Sequence, residues 1–472
     1  MLFPSVSFLF YFLPLFFVLY GLTPGVPAKN LVLLAASLLF YAWGEPRFVL
    51  LLIAQIVLNY VAAIVIDGAQ GGYRRLATAI SIALNLLLLA IFKYADFAVG
   101  ALNAVAGPGG AFALPGIALP LGISFFTFHA ISYLIDVHRG AAANRNPLSV
   151  AVYIAMFPQL VAGPIVRYHT IAKRLATRRM TLGRASAGMR IFAIGLAQKV
   201  LVADEVSRLA DAVFDKAAQP SAAEAWLGLS AYTIQIYFDF AGYSNMAIGL
   251  ALALGFAFPR NFRLPYTARS IAEFWRRWHI SLSQWLRDYL YVPLGGSRGS
   301  LAETYRNLCL VFVLCGLWHG AKWTFVIWGI HHGAFLIAER AGLASLLVRA
   351  PAWLARLYAL LAVMSGWVWF RASDFEHALA FFAALGGARG WSGLGTSVHL
   401  VAQPMTLMVL LAGAVLALVR LDALRRIRPL LPAASRHWPV ALADTGGIAL
   451  CLVLSVLSVA AGSYSPFLYF RF

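Results

Sequence analysis

Residues 304–339 read TYRNLCLVFVLCGLWHGAKWTFVIWGIHHGAFLIAE. Two apolar runs in this stretch, 304–318 and 322–339, approach the roughly 20 residues that an α-helix needs to cross a membrane. His319 stands between them in Gly-Leu-Trp-His-Gly, a pattern that indicates a helix break. The stretch therefore predicts two membrane helices with an ionisable group at or near membrane depth. Such a group is a functional candidate by default.

The composition of the whole chain supports a membrane protein. Of its 472 residues, 61% are hydrophobic and only 12% are charged, which excludes a soluble multidomain protein and a disordered chain. Lysine and arginine outnumber acidic residues by 37 to 18, which gives a net charge of +19. We attribute this excess to cytoplasmic loops and expect no nucleic-acid partner, because no basic stretch lies outside the apolar frame.

Apolar runs that could form membrane helices recur along the chain. They cover 5–22, 30–44, 47–66, 76–95, 118–137, 186–204, 223–257, 304–318, 322–339, 352–370, 401–419 and 440–461. The run 223–257 is too long for one plain span, and we expect Gly242 to break it. Basic clusters between the runs, such as Arg340–Arg356 and Arg420–Arg436, are assigned to the cytoplasm. This assignment predicts about twelve crossings with both termini outside.

Residues 148–164 do not fit this count, because they are apolar while both flanks are basic. With Pro158, Gly163 and Pro164, the segment is typical of one that enters and leaves the membrane on the same side. Non-helical backbone at membrane depth is tolerated only inside protein or beside a water-filled cavity. The sequence therefore predicts an all-α polytopic membrane protein. We expect re-entrant and interfacial helices around a central cavity or tunnel, folded as one unit over residues 1–472.

A second candidate region runs from Glu273 to Leu290. At helical spacing its apolar and charged side chains fall on opposite faces, which predicts one amphipathic helix at the cytoplasmic boundary. The apolar stripe holds Trp275, Trp278, Leu282, Trp285, Leu286 and Tyr289, and the polar face holds Arg276, Arg277, Gln284, Arg287 and Asp288. His279 lies at the margin of the stripe and should point inward. The region is either an interfacial helix with a buried histidine or a basic vestibule for an anionic substrate.

Other polar groups inside apolar runs have two interpretations each. Asp239, followed by Ser244 and Asn245, could orient a histidine or line a pore, or could only fix helix packing. For the adjacent pair His331 and His332, packing or hydration is favoured. We expect no metal site, because adjacent histidines point two ways and the cysteines form no CxxC pair.

Several motifs together make the chain resemble the membrane-bound O-acyltransferase family, and within it the bacterial branch that O-acetylates alginate. They are Phe238–Ser244 (FDFAGYS), Asn261–Tyr266 (NFRLPY), Phe274–Ser283 (FWRRWHISLS), Trp285–Tyr291 (WLRDYLY), Gly316–Gly320 (GLWHG) and Pro466–Phe470 (PFLYF). The resemblance covers nearly the whole chain. Two departures, Arg263 where an acidic residue is common and Arg471 where glutamine is common, leave the substrate open.

The resemblance implies a membrane-bound acetyltransferase with its catalytic core at about residues 118–340. His319 is similar to the active-site histidine of the family, and His279 to its second, upstream histidine. The resemblance also implies acetyl-CoA as a cytoplasmic donor, with no tightly bound cofactor. The implied partners are periplasmic acetyltransferases, a polysaccharide that is modified indirectly, and membrane lipid. The implied location is the bacterial inner membrane, as a multi-pass protein.

From these residues we expect a basic cytoplasmic mouth that receives the phosphates of coenzyme A. It comprises Arg260, Arg263, Arg269, Arg276, Arg277 and Arg287. Inside the membrane, His319 is expected to act as general base on an acceptor hydroxyl, with an acetyl-histidine intermediate as the variant. Asp239 is a further substrate-binding candidate, and Asn245 or Trp318 is the candidate donor to the oxyanion.

Two other functions would also use a polar cavity or a membrane frame. A transporter or channel for a small anionic or lipid-linked substrate needs the same cavity, but it needs no thioester and would tolerate a change of His319 in part. A scaffold for periplasmic enzymes needs no buried histidines. The polysaccharide stays open between alginate, cellulose, peptidoglycan and other glycans.

Overall fold

The computed structural model describes residues 1–107, 112–216, 220–391, 393–419, 438–462 and 467–468. The regular structure of these residues is helical, and no strand occurs among them. The all-α class predicted from the sequence is confirmed. Arg471, most of the final motif and the basic cluster 420–436 lie outside the described residues.

Two compact units divide the chain between them. The first comprises Met1–Met189 and Ala247–Pro259, and the second comprises Arg190–Met246 and Arg260–Phe472. Along the first 200 residues, the α-helices are α1 (Leu13–Leu22), α2 (Val26–Gly44), α3 (Val49–Gly68), α4 (Gly71–Ala106), α5 (Ile123–His138), α6 (Pro147–Ala155), α7 (Phe157–Leu160), α8 (Tyr168–Ala176) and α9 (Leu182–Ala197). The bounds of the catalytic core stay a prediction.

The remaining helices build most of the second unit. They are α10 (Asp204–Asp211), α11 (Ala222–Ala253), α12 (Ile271–Trp275), α13 (Ile280–Leu286), α14 (Leu301–His319), α15 (Trp323–Ala338), α16 (Ala344–Arg349), α17 (Ala352–Arg371), α18 (Phe375–Leu385), α19 (Thr396–His399), α20 (Pro404–Leu418) and α21 (Trp438–Ala460). Short π-helical turns lie at Ser7–Phe12, Gln198–Ala203, Ala212–Lys216, Arg287–Tyr291 and Glu339–Leu343, and a 3-10 turn lies at Pro265–Thr267.

The helices lie where the apolar runs predicted them. Among the described residues, six helical stretches are long and apolar enough to cross a membrane: α2, α3, α4, Leu182–Asp215, α14 and α17. Shorter apolar helices include Ser7–Leu22, α18 and α20. The multi-pass membrane architecture is confirmed, and the number of crossings stays a prediction.

The predicted break at Gly242 is wrong, because α11 continues through it. A Cβ atom on Gly242 would meet the carbonyl oxygen of Gly195 on α9, and a Cβ on Gly195 would meet that of Gly242. The two glycines therefore let α9 and α11 approach backbone to backbone, as small residues do between membrane helices. Here a glycine inside an apolar run marks a helix crossing instead of a helix end.

The segment predicted to be re-entrant is a broken helix inside the first unit. α6 ends at Ala155, Met156 leaves the helical conformation with φ of −57° and ψ of 120°, and α7 adds one further turn. Every residue from 149 to 166 is buried. Irregular backbone in this segment is therefore covered by protein, as its apolar sequence requires. Entry and exit on one side of the membrane stay a prediction.

Candidate functional site

The predicted break at His319 is confirmed, since α14 ends at this residue and α15 begins at Trp323. The imidazole is only 5% exposed. Its ring centroid lies 5.0 Å from that of Trp328 and 5.3 Å from that of Phe370, both edge to face. The helix end therefore holds His319 in an aromatic wall of the second unit.

The glycines on either side of His319 serve helix packing. A Cβ on Gly316 would meet the carbonyl oxygen of Phe325, and one on Gly320 would meet the Phe325 ring. The space beside both glycines is thus filled by α15. Close approach of α14 and α15 therefore explains both glycines.

The single amphipathic helix predicted around His279 is wrong. α12 ends at Trp275, α13 starts at Ile280, and His279 between them has a left-handed backbone with φ of 41°. Backbone hydrogen bonds explain the interruption, because Ile280 N–H donates to the Asn261 carbonyl at 2.9 Å and Arg263 N–H donates to the Arg277 carbonyl at 2.9 Å. The loop that begins at Asn261 thus takes the place of the next helical turn.

The division of side chains predicted for this region survives the break. All six members of the apolar stripe are buried, and so is His279, as predicted. Arg276 and Arg287 are exposed. The orientation was predictable because it depends on local spacing, while the break depends on a loop some fifteen residues earlier in the sequence.

Asn261 fixes the tautomer of His279. The Asn261 Oδ1 atom accepts the backbone N–H of Ser281 at 3.2 Å, and a backbone N–H can only donate, so this atom is the amide oxygen. The same oxygen lies 3.1 Å from His279 Nδ1, which must therefore carry the ring proton. Asn261 Nδ2 donates in turn to Ser244 Oγ at 3.0 Å. The Ser281 hydroxyl also donates to Asn261 Oδ1, at 2.9 Å, and we call the side chains of Ser244, Asn261, His279 and Ser281 the open cluster.

The cluster is called open because the second ring nitrogen of His279 is unused. Its Nε2 atom is fully buried, carries the lone pair of this tautomer, and has no hydrogen-bond partner among the described residues. Burial lowers the pKa of this imidazole to about 3, so it stays neutral at physiological pH. A neutral, oriented imidazole with an unused lone pair can accept a proton or a hydrogen bond from a substrate.

Trp318 joins the surroundings of the two histidines. Its ring centroid lies 6.0 Å from that of His279 and 4.9 Å from that of His319. Phe240 on α11 covers the other side of His279, with ring centroids 4.6 Å apart. The structure therefore brings His279, Trp318 and His319 into one aromatic-walled region of the second unit.

A cleft of about 450 Å³ lies beside this region, lined by residues near His279 and His319 in the sequence but not by the two histidines themselves. Arg276, Arg287, Ser283 and Gln284 line it on the side of α12 and α13, and Cys315 lines it on α14. Cys315 lies about one helical turn before His319. We call this space the donor cleft, because its basic and polar wall and its position fit the predicted mouth for an anionic thioester.

Arg277 does not belong to this cleft. Its Nη2 atom donates to Glu273 Oε1 at 2.6 Å, and its Nη1 atom donates to Thr267 Oγ1 at 3.2 Å. With Arg269 and Arg356, it lines a separate space of about 730 Å³, which we call the arginine cleft. The single basic mouth predicted from the sequence is therefore divided, because Arg276 and Arg277, in the turn after α12, line different clefts.

Asp239 belongs to a different polar cluster. Lys199 Nζ lies 2.7 Å from Asp239 Oδ1 and 2.5 Å from Asp204 Oδ1, and the backbone N–H of Leu468 donates to Asp239 Oδ2 at 2.8 Å. No contact joins Asp239 to a histidine among the described residues. We call Lys199, Asp204 and Asp239 the closed cluster, since its cation is shared between two buried carboxylates. This arrangement favours the packing interpretation of Asp239.

The remaining candidates lie beside the site. Asn245 Nδ2 donates to Gln198 Oε1 at 2.8 Å, so its donor is already engaged within the second unit. His331 Nε2 lies 2.8 Å from the Ala362 carbonyl. His332 is fully buried, and its ring centroid lies 4.9 Å from that of Trp328. The contact of His331 agrees with the packing interpretation, and His332 is packed among aromatic rings with no hydrogen-bond partner for either ring nitrogen among the described residues.

Asn261 is the functional candidate that the sequence argument missed. It stands first in the Asn-Phe-Arg-Leu-Pro-Tyr motif, which served only to establish the resemblance. The motif did indicate a role for Asn261, because a buried asparagine needs several hydrogen-bond partners. One of those partners can be a reactive side chain that the asparagine orients. Its partner could not be deduced, since the contact joins residues 18 positions apart through an irregular loop.

Comparisons with known proteins give a consistent result. The family model described as MBOAT, membrane-bound O-acyltransferase family, matches residues 121–373. The chain is 42% identical to a probable alginate O-acetylase AlgI of Azotobacter vinelandii, over 100% of both chains. It is 35% identical to a peptidoglycan O-acetyltransferase of Helicobacter pylori, over 100% of this chain and 98% of that one. A teichoic acid D-alanyltransferase of Bacillus subtilis is 28% identical over 46% of this chain and 58% of its own.

Proposed function

The chain belongs to the membrane-bound O-acyltransferase family, and we propose that it transfers acetyl groups from cytoplasmic acetyl-CoA across the bacterial inner membrane. The acceptor is a hydroxyl group that serves the O-acetylation of an alginate-like exopolysaccharide. The relatives named alginate O-acetylase and peptidoglycan O-acetyltransferase support an acetyl cargo and a polysaccharide destination. Periplasmic acetyltransferases are the proposed partners that complete the transfer.

The donor cleft is the observation that carries this proposal. Arg276 and Arg287 at its wall suit the phosphates of coenzyme A, because guanidinium groups bind phosphate through paired hydrogen bonds. The far wall at Cys315 is apolar and close in sequence to His319. A pantetheine arm that enters past the arginines would carry its thioester towards the aromatic region of the two histidines.

The chemistry assigned to His319 is general base catalysis. Its ring nitrogen takes the proton of the acceptor hydroxyl while the hydroxyl oxygen attacks the thioester carbonyl carbon. The tetrahedral intermediate then collapses with cleavage of the carbon–sulfur bond, and the protonated His319 returns its proton to the leaving thiolate. Trp318 is the better placed candidate donor to the oxyanion, because the donor of Asn245 is held by Gln198.

His279, whose ring centroid lies 6.0 Å from that of Trp318, supports the reaction through its Nε2 atom. Its Nε2 lone pair accepts a hydrogen bond from an N–H or O–H group of the bound donor or acceptor. Asn261 holds the ring in this tautomer and orientation, so no reorganisation is needed when substrate arrives. The fully buried position also keeps water from competing for that nitrogen.

Purified protein in lipid nanodiscs, given acetyl-labelled acetyl-CoA and an acceptor, tests the proposal. Arg276→Gln with Arg287→Gln should raise the KM for acetyl-CoA about tenfold, or roughly 1.4 kcal/mol of binding, with kcat little changed. The matched control is Arg340→Gln with Arg349→Gln, which removes two exposed arginines that line neither cleft. Absence of transfer and of hydrolysis in the unmodified protein would instead favour the transporter alternative.

A further inference from the structure

We propose that the arginine cleft binds the headgroup of an anionic phospholipid from the cytoplasmic leaflet. This inference goes beyond the proposed function and does not depend on it. The cleft holds about 730 Å³ between the 3-10 turn at Pro265–Thr267, α12, the start of α17 and the end of α20. Its wall has a cationic part and an apolar part, which match the two parts of a phospholipid.

The cationic part carries an uncompensated positive charge. Arg269, Arg277 and Arg356 line it together with one carboxylate, Glu273, for a net charge of +2. Glu273 accepts Arg277 Nε at 3.0 Å and the backbone N–H of Arg269 at 2.8 Å, so both of its oxygens are engaged. Among the described residues, no carboxylate pairs with the guanidinium groups of Arg269 or Arg356. Two cations thus remain for a phosphate.

The ionised state of Glu273 is consistent with this charge count. Its burial acts to raise the pKa, but the Arg269 backbone N–H and the Arg277 guanidinium outweigh burial and hold the pKa of Glu273 below its usual value. The carboxylate therefore stays charged and stays paired with Arg277. It neither becomes a hydrogen-bond donor to phosphate nor releases Arg277 at neutral pH.

The apolar part of the wall lies on two helices. Trp353, Leu357 and Leu360 fall at i, i+4 and i+7 on α17, so they share one face. Trp353 is 65% exposed and Leu357 is 43% exposed, while Leu418 at the end of α20 is 49% exposed. A free phosphate or nucleotide would leave these side chains uncovered, whereas the acyl chains of a lipid would cover them.

The position of the cleft specifies the leaflet. Arg356 belongs to the basic cluster 340–356, which the charge distribution assigns to the cytoplasmic side. Trp353 at the start of the same helix is typical of the membrane–water boundary. The cytoplasmic leaflet carries the anionic lipids that basic segments at membrane helices attract. The arrangement therefore favours an anionic phospholipid over a zwitterionic one.

Native mass spectrometry of the full-length protein in detergent, titrated with phosphatidylglycerol or phosphatidylcholine, tests the assignment. Arg269→Gln with Arg356→Gln should weaken phosphatidylglycerol binding about thirtyfold and leave phosphatidylcholine binding unchanged. The matched control, Arg340→Gln with Arg349→Gln, removes the same charge from the same predicted side and should bind like the unmodified protein. The His319→Ala protein should also bind lipid normally, which separates this test from that of acetyl transfer.

Three outcomes would overturn the proposal. The first is unchanged phosphatidylglycerol binding in the Arg269→Gln, Arg356→Gln protein. The second is an equal loss in the control pair, which would indicate a general effect of charge. The third is displacement of the bound lipid by inorganic phosphate or coenzyme A at equal concentration, which would assign the cleft to a soluble anion.

Discussion

The open and closed clusters are both buried polar groups of the second unit, yet their chemistry differs. In the closed cluster, Lys199 contacts Asp204 and Asp239, and the backbone N–H of Leu468 donates to the second carboxylate oxygen of Asp239. In the open cluster, the Asn261 side chain bonds Ser244, Ser281 and His279, and one nitrogen of His279 has no hydrogen-bond partner among the described residues. Burial of an ionisable group alone does not indicate catalysis. His279 is a candidate because Asn261 orients its ring, its Nε2 lone pair is unused and it lies beside Trp318 and His319.

The largest effect is expected from removing the cation of the closed cluster. Lys199→Met leaves two carboxylates buried without their partner, which should cost about 3–5 kcal/mol of stability. Thermal unfolding in detergent and the amount of folded protein in membranes measure this loss. Acetyl transfer per folded molecule should stay close to normal, because among the described residues no contact joins Asp239 to His279 or His319.

A second variant shows whether the loss comes from the uncompensated charges. Lys199→Met combined with Asp204→Asn and Asp239→Asn removes all three charges and should recover most of the lost stability. If the triple variant is as unstable as Lys199→Met, the closed cluster is held by packing and the comparison fails.

For variants of the open cluster, we expect a loss of activity with little change in stability. His279→Asn should lower kcat about a hundredfold, the lower end of the range for a general acid–base group. Asparagine tolerates the left-handed backbone at this position, so the unfolding temperature should change little. Normal kcat in a folded His279→Asn protein would remove this residue from the catalytic groups.

A smaller effect on activity, seen as a shift in its pH dependence, is expected from Asn261→Asp. The new carboxylate still accepts from His279 Nδ1 and from the Ser281 backbone, but its charge raises the pKa of His279. His279 then becomes protonated as the pH falls, so activity should be lost at a higher pH than in the unmodified protein. The pH profile of kcat measures the shift, and Asn261→Gln, which adds no charge, is the control. An unchanged profile would separate Asn261 from the reaction.

The sequence predicted the features that depend on local pattern. Apolar runs placed the helices, the spacing around His279 placed its side chain inward, and the break at His319 was correctly located. The features that were missed depend on contacts between distant segments. Gly242 was predicted to break α11 because its partner Gly195 could not be seen, and Asn261 was left out because an irregular loop carries it to His279. Arg276 and Arg277 were assigned to one basic mouth because they are adjacent in the sequence, but they line two different clefts.

The most direct test of the account is acetyl transfer by a His319→Ala protein that keeps the unfolding temperature of the unmodified protein. We expect a loss of kcat of about a hundred- to ten-thousandfold, with acetyl-CoA still bound, because His319 moves the proton of the acceptor hydroxyl. Lys199→Met measured in parallel should show the opposite result, lower stability with normal turnover per folded molecule. Normal transfer by folded His319→Ala protein would show that His319 is not the general base.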